Sequence, residues 1–173
     1  MFYAPYAASV VDWVHWLAIF VLTAALIAAA LNDISTFLIP HRYSIAIAAA
    51  FLVFAIGRPL AFLLAGLAAG ALLFALGALL FARRLLGGGD VKLLAAAGLW
   101  AGFDQLALLI FASAIAGGAL AATQLSPLGR LLPAPPGRPP VGNDFYSRMR
   151  QPMPFGVAIA LGGVCVAVAR LVS

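Results

Sequence analysis

The sequence predicts an all-α integral membrane protein, a bundle of about six transmembrane helices with the N-terminus outside. Three observations carry this. Of the 173 residues, 65% are hydrophobic and 9% charged, whereas soluble globular domains are about 45–50% apolar and about 25% charged. The mean hydropathy is +1.12. Apolar runs near the roughly 20 residues that a helix needs to cross the hydrocarbon layer recur along the chain, and the basic residues segregate to one side of them. Disorder is excluded by the same composition. The single Cys forbids an internal disulfide and any four-cysteine zinc site. Nucleic-acid binding is a poor explanation of the net charge of +5.

Each run has a recognisable end. The first spans about Trp13 to Asn32 and stops at Asp33; Trp13 and Trp16 suit interface anchors. The start lacks the basic region of a signal peptide, so this span is read as retained. The second, about Tyr43 to Ile56, ends at Gly57-Arg58-Pro59. The third, about Leu60 to Ala82, ends at Arg83-Arg84. A fourth starts after Asp90 and reaches about Phe103, where Gly102-Phe103-Asp104-Gln105 reads as a turn, and a fifth runs from about Leu106 to Leu125. The sixth covers about Phe155 to Val172. The second and fourth are short for a full crossing. Their Gly and Ala content suits close helix contact in lipid. The whole chain, 1–173, reads as one transmembrane domain. Within it lies a Pro/Arg-rich loop, 126–153, with seven Pro and four Arg; it reads as an extended cytoplasmic connector.

Charge supplies the orientation. With the N-terminus outside, Arg42, Arg83, Arg84, Lys92, Arg130, Arg138, Arg148 and Arg150 fall inside, and only Arg58 and Arg170 outside, eight of the ten basic residues. That asymmetry follows the positive-inside rule, and it accounts for the basic balance together with attraction to lipid headgroups.

The five acids then sort by side. Asp12 and Asp104 lie outside as solvated cap or turn residues, and Asp144 lies in the connector. Asp33, at the inner end of the first span, and Asp90, at the inner start of the fourth, bring carboxylates to one depth on one face. A single Asp at a helix end is usually a cap. The neighbours change that reading. Asp90 follows Gly87-Gly88-Gly89, which permit close backbone approach, and takes an N-terminal helix position where the dipole stabilises its charge. The string lacks the Gly-Lys-Ser/Thr ending of a phosphate-binding loop. Lys92 lies two places on, near the headgroups or within the local field. Asp33 opens DISTFLIPHRYS, in which Ile39-Pro40 breaks the helix and directs the chain into the second span. His15 reads as a packing or interfacial residue and His41 as a hairpin residue, and Cys165 as buried in the last span. No protein-built metal site is expected.

Taken together, Asp33, Thr36, Ile39 and Pro40, followed by Gly87, Gly89, Asp90 and Lys92, resemble the paired motifs of the type IV prepilin peptidases, membrane aspartic proteases of the GxGD class. Pro154-Phe155-Gly156 is similar to the Pro-x-Gly segment that opens the last helix in that family. His41 stands where family members commonly have Asn. The paired Cys-x-x-Cys motifs of the larger, methylating members are missing, so the chain is similar to the short peptidase-only branch found with Flp-type (tight adherence) pili and some archaeal preflagellin systems.

The resemblance implies Asp33 and Asp90 as the catalytic pair, with Gly87, Gly88, Gly89, Lys92, Thr36, Pro40, Pro154 and Gly156 binding substrate or shaping the site. It implies an aspartic endopeptidase of the bacterial inner membrane, without cofactor, metal or methyltransferase activity. Its partners would be a prepilin or pseudopilin precursor, membrane lipids and the pilus assembly machinery, with no nucleic acid. Two other classes are compatible with paired membrane acids. A small ion- or proton-coupled transporter would place them nearer the midplane in broken helices, and a non-catalytic pilus or secretion scaffold would tolerate their loss.

Overall fold

The computed structural model describes residues 4–126 and 153–172. The described residues form six helices and no strand: α1 Ala4–Thr36, α2 His41–Phe54, α3 Leu60–Ala82, α4 Gly88–Ala101, α5 Leu106–Leu125 and α6 Phe155–Val172. Four contain stretches long and apolar enough to cross a membrane, namely Asp12–Thr36 within α1, and α3, α5 and α6. At about 1.5 Å per residue, the 14 residues of α2 and of α4 reach only about 21 Å, short of the roughly 30 Å hydrocarbon layer. Trp13, Phe20, Phe111 and Ile115 stay exposed on the bundle, as expected of side chains that face lipid. The Pro/Arg-rich loop, with Asp144 and its four Arg, lies outside the described residues apart from its ends.

Helix ends differ from the sequence reading in three places. α1 does not stop before Asp33. It continues to Thr36 because Ser35 and Thr36 turn their hydroxyls back onto the carbonyls of Leu31 and Asn32, at 3.0 and 2.8 Å. Its end is set by Phe37 at φ +53, so Pro40 serves as the N-cap of α2 rather than as the breaker of α1. The third difference is that α4 begins at Gly88, which places two of the three glycines and Asp90 in its first turn. Cys165, expected to be buried, is exposed on α6.

α4 is the centre of the bundle, packed against α2, α3, α5 and α6. Close approach to α3 depends on small residues: a Cβ on Gly98 would fall 3.3 Å from the Cα of Gly70 and 2.7 Å from the Leu73 side chain. Trp100 is fully buried, stacks at 4.8 Å on Phe54, and donates its indole N–H to the Ile47 carbonyl at 3.0 Å. This spends the ring's one polar group on α2. His15 packs against Phe54 at 5.0 Å and lies 3.1 Å from the Ile56 carbonyl, a packing role.

The C-terminal end of α4 is closed by a cation. Gly102, at φ +56, turns the chain away, and the backbone beyond it reaches the Gly98 and Ala101 carbonyls but leaves other end carbonyls of the helix in need of donors. Arg170, from the last turn of α6, donates Nε–H to the Trp100 carbonyl at 3.0 Å and Nη2–H to the Ala101 carbonyl at 3.0 Å. Its two terminal nitrogens also grip both oxygens of Asp104 at 2.8 and 3.0 Å. Asp104, which the sequence suggested as a simple turn residue, is therefore the counter-ion of a buried guanidinium. The Arg170 side chain is 7% exposed and that of Asp104 60%. Removing the cation leaves the Trp100 carbonyl without its donor and the Ala101 carbonyl with the Gln105 N–H alone, at 3.1 Å, whereas removing the carboxylate exposes little. Arg170→Gln is expected to cost about 2–4 kcal/mol, and Asp104→Asn about 1 kcal/mol or less, in equilibrium unfolding in detergent. Equal losses from the two substitutions would contradict this division.

Candidate active site

Asp33 occupies the last turn of α1 and Asp90 the first turn of α4, and both line a cavity of about 480 Å³. Gly87, Gly88, Gly89 and Lys92 line it from the same end of α4. Phe37, Leu38, Ile39 and His41 line it from the α1–α2 connection, and Phe74, Ala78 and Phe81 from α3. The two carboxylates are near enough that the charge of Asp33 acts on Asp90. Asp33 is 5% exposed and Asp90 half-buried.

The two carboxylates are placed differently. Asp90 is the third residue of α4, and its side chain folds back towards Gly87, the residue before the helix, as the acid of a capping box does. A Cβ on Gly87 would fall 2.8 Å from Asp90 Oδ2, so the glycine leaves room for the carboxylate to fold back. Asp33 Oδ2 accepts from the Gly156 N–H at 2.8 Å, in the first turn of α6, where unpaired amides and the helix dipole favour an anion. A bond between residues 123 apart in sequence thus ties the last helix to the first acid.

Ile39 fixes the spacing of these parts. A Cβ on Gly89 would meet Ile39 Cβ at 2.9 Å and its carbonyl oxygen at 3.2 Å. A Cβ on Gly156 would clash with the far end of the same side chain and fall 2.8 Å from Asp33 Oδ2. One isoleucine is therefore wedged between two positions that must lack side chains, one on α4 and one on α6.

The connection carrying Ile39 is itself held by Asn32. Its Nδ2 donates to the Leu38 carbonyl at 2.6 Å and to Thr36 Oγ1 at 3.1 Å, and the Phe37 N–H donates to the Asp33 carbonyl at 2.9 Å. Phe37 takes the left-handed conformation usually left to Gly at such helix ends, at a cost of about 1–2 kcal/mol. Asn32 is the residue that sequence reasoning missed. A lone amide beside Asp33 near the end of an apolar run was the available signal. The cavity-lining Phe74, Ala78 and Phe81 were also missed, because the third run has no period that distinguishes one face.

The remaining sequence-derived residues fall into two groups. Lys92 lies on the rim, with Nζ 3.3 and 3.4 Å from the ring nitrogens of His41. Thr36, Pro40 and Pro154 do not line the cavity. Thr36 belongs to the Asn32 clasp, Pro40 starts α2, and the Pro154 carbonyl accepts from Val157 N–H at 3.3 Å as α6 begins. Among the described residues, no cluster of three or more His, Cys, Asp or Glu is arranged to hold a metal ion.

Chemically, the cavity offers two carboxylates, one of them fixed by an amide, in a largely apolar pocket with one amine at its rim. Two carboxylates in one site can share a proton, an arrangement that can supply a base and an acid in one place. The model of the type IV leader peptidase family matches residues 20–122, more than half of the chain, including both acids. No curated protein and no solved structure is significantly similar to the chain.

The steric role of Gly156 gives a direct test. Gly156→Ala is expected to destabilise the fold by about 1–3 kcal/mol. Gly118→Ala on α5, where a Cβ would have nothing within 4 Å, is expected to stabilise by about 0.5–1 kcal/mol through helix propensity. Thermal unfolding of both variants in one detergent checks the opposite signs.

Proposed function

This chain belongs to the type IV leader peptidase family, and from that premise we propose that it is a membrane aspartic endopeptidase that removes the basic leader from pilin-like precursors. The observation that carries the reading is the convergence of Asp33 and Asp90 on one cavity at one end of the bundle. The finer assignments rest on the resemblance: a precursor of the Flp type, with Gly before the cut and a hydrophobic helix after it, processed at the cytoplasmic face of the bacterial inner membrane. The segregation of basic residues to that side supports the orientation.

Hydrolysis needs one water and one shared proton. The ionised member of the pair takes a proton from the water as its oxygen attacks the scissile carbonyl carbon. The protonated member gives its proton to the carbonyl oxygen. As the tetrahedral gem-diol collapses, the second carboxylate takes back a hydroxyl proton, the C=O bond re-forms and the C–N bond breaks. The acid generated in the first step then protonates the leaving amine, and the new carboxyl group is released with the pair ready for another turnover. The Gly156 amide holds the Asp33 carboxylate in place through these exchanges, so less reorganisation is needed there when charge moves. The small residues at Gly87 to Gly89 let an extended peptide backbone approach Asp90, and Phe74, Ala78 and Phe81 offer an apolar wall to the residues that follow the cut.

Two outcomes are expected. Asp33→Asn and Asp90→Asn each lower cleavage of a co-expressed precursor by about 10²–10⁴-fold with protein levels unchanged, read as a size shift on a gel; normal processing by either variant would sink the proposal. Purified enzyme is expected to give a bell-shaped pH profile in kcat/KM. The acid limb reports protonation of both carboxylates, which removes the base, and the alkaline limb reports ionisation of both, which removes the acid.

A further inference from the structure

The end of the bundle opposite the two carboxylates carries a second concentration of charge. Arg58 lies in the α2–α3 turn directly after Gly57, which is at φ +80. Its guanidinium carbon stands 4.1 Å from the centroid of the Phe54 ring and 5.0 Å from that of Phe62. Arg170 approaches the same Phe62 ring at 5.2 Å. Two guanidinium groups thus contact one aromatic ring.

Their partners are unequal. Arg170 is saturated by both oxygens of Asp104 and by the carbonyls of Trp100 and Ala101. Arg58 has no carboxylate partner among the described residues, and its buried Nε has no hydrogen-bond acceptor. Of the two acids read to this side, Asp104 pairs with Arg170, and Asp12 forms no ion pair with Arg58. Burial, and after it the neighbouring Arg170 charge, hold the pKa of the Arg58 guanidinium below its usual value. Aromatic stacking fixes the guanidinium plane without neutralising it. The chain on either side of Arg58 is apolar and outward-facing: Ile56, Leu60 and Leu64 are all more than half exposed.

We propose that Arg58, stacked on Phe54 and Phe62 beside Arg170, is a binding site for the phosphate of a membrane phospholipid, whose acyl chains lie along Ile56, Leu60 and Leu64. The phosphodiester supplies acceptor oxygens and a negative charge to a cation that no carboxylate pairs among the described residues, and a guanidinium fork matches it in shape. The apolar strip running from the cation along α3 favours a lipid over a free anion, since only a lipid fills both. The site is independent of the peptidase chemistry at the other end, so binding and cleavage are separately measurable.

Native mass spectrometry of the full chain, released from detergent with added phosphatidylglycerol, phosphatidylethanolamine or inorganic phosphate, tests this. Either phospholipid is expected to remain bound to the parent protein. Occupancy should fall about tenfold in Arg58→Gln, the loss of a charge-assisted bond pair, and stay unchanged in Arg42→Gln, whose cation stacks on Tyr43 at the carboxylate end. Arg58→Lys, which keeps the charge and loses the fork, should retain an intermediate amount, and this second variant keeps the test open if Arg58→Gln does not fold. Cleavage by Arg58→Gln in detergent should be normal. Undiminished lipid in Arg58→Gln, equal losses in the two glutamine variants, or displacement of the lipid by inorganic phosphate would each overturn the proposal.

Discussion

The wedge of Ile39 between Gly89 and Gly156 governs the arrangement of the catalytic end. It joins three segments distant in sequence, the α1–α2 connection, the start of α4 and the start of α6, each of which supplies part of the candidate site. Because the contacts on both sides leave no space for a Cβ, the separation of the segments is set by steric exclusion, which is stiff, as well as by hydrogen bonds. Asp33 and Asp90 inherit their positions from it. The left-handed Phe37 turn, held by Asn32, is the strained piece that this arrangement tolerates, and such strain tends to collect at functional sites where the surroundings over-determine it.

At the other end the governing constraint is the absence of water. In lipid an unpaired carbonyl costs several kcal/mol, so a helix that stops short within the bundle must be given donors. α4 is such a helix. Arg170 gives its last carbonyls donors and brings Asp104 as its own counter-ion, so one buried cation closes the helix and pins α6 to α4. Since α4 carries Asp90 at its start, a clasp some 20 Å away at its end also limits how far the catalytic turn can shift along the bundle axis. Arg58, beside the same Phe62 ring, has no such counter-ion among the described residues, and that difference is the basis for assigning it an external phosphate.

Much of this was legible before any coordinates, for reasons that can be traced to particular residues. The third, fifth and sixth helices match the runs read from the sequence, because uninterrupted apolar stretches bounded by Arg83-Arg84, by the Gly102 turn or by prolines leave few alternatives in lipid. The side shared by Asp33 and Asp90 followed from counting spans between them. Boundaries set by side-chain hydrogen bonds were not legible: Ser35 and Thr36 extend α1 past Asp33, and the glycines before Asp90 join the helix, since what they pack against is invisible in a linear string. Thr36, Pro40 and Pro154, carried over by motif, act through chain direction and capping, outside the cavity itself.

By itself the sequence determined the membrane-protein class, the order of the six helices among the described residues, and the pair of acids left over once solvated roles were assigned, because scarcity of charge and the length of apolar runs are properties of the chain alone. Only the tertiary structure decided how the pair is held. The Gly156 amide on Asp33, the wedge of Ile39, the Asn32 clasp and the Arg170–Asp104 closure all join residues from separate turns or separate helices. Their existence depends on distances of about 3 Å in space, which no spacing along the sequence encodes.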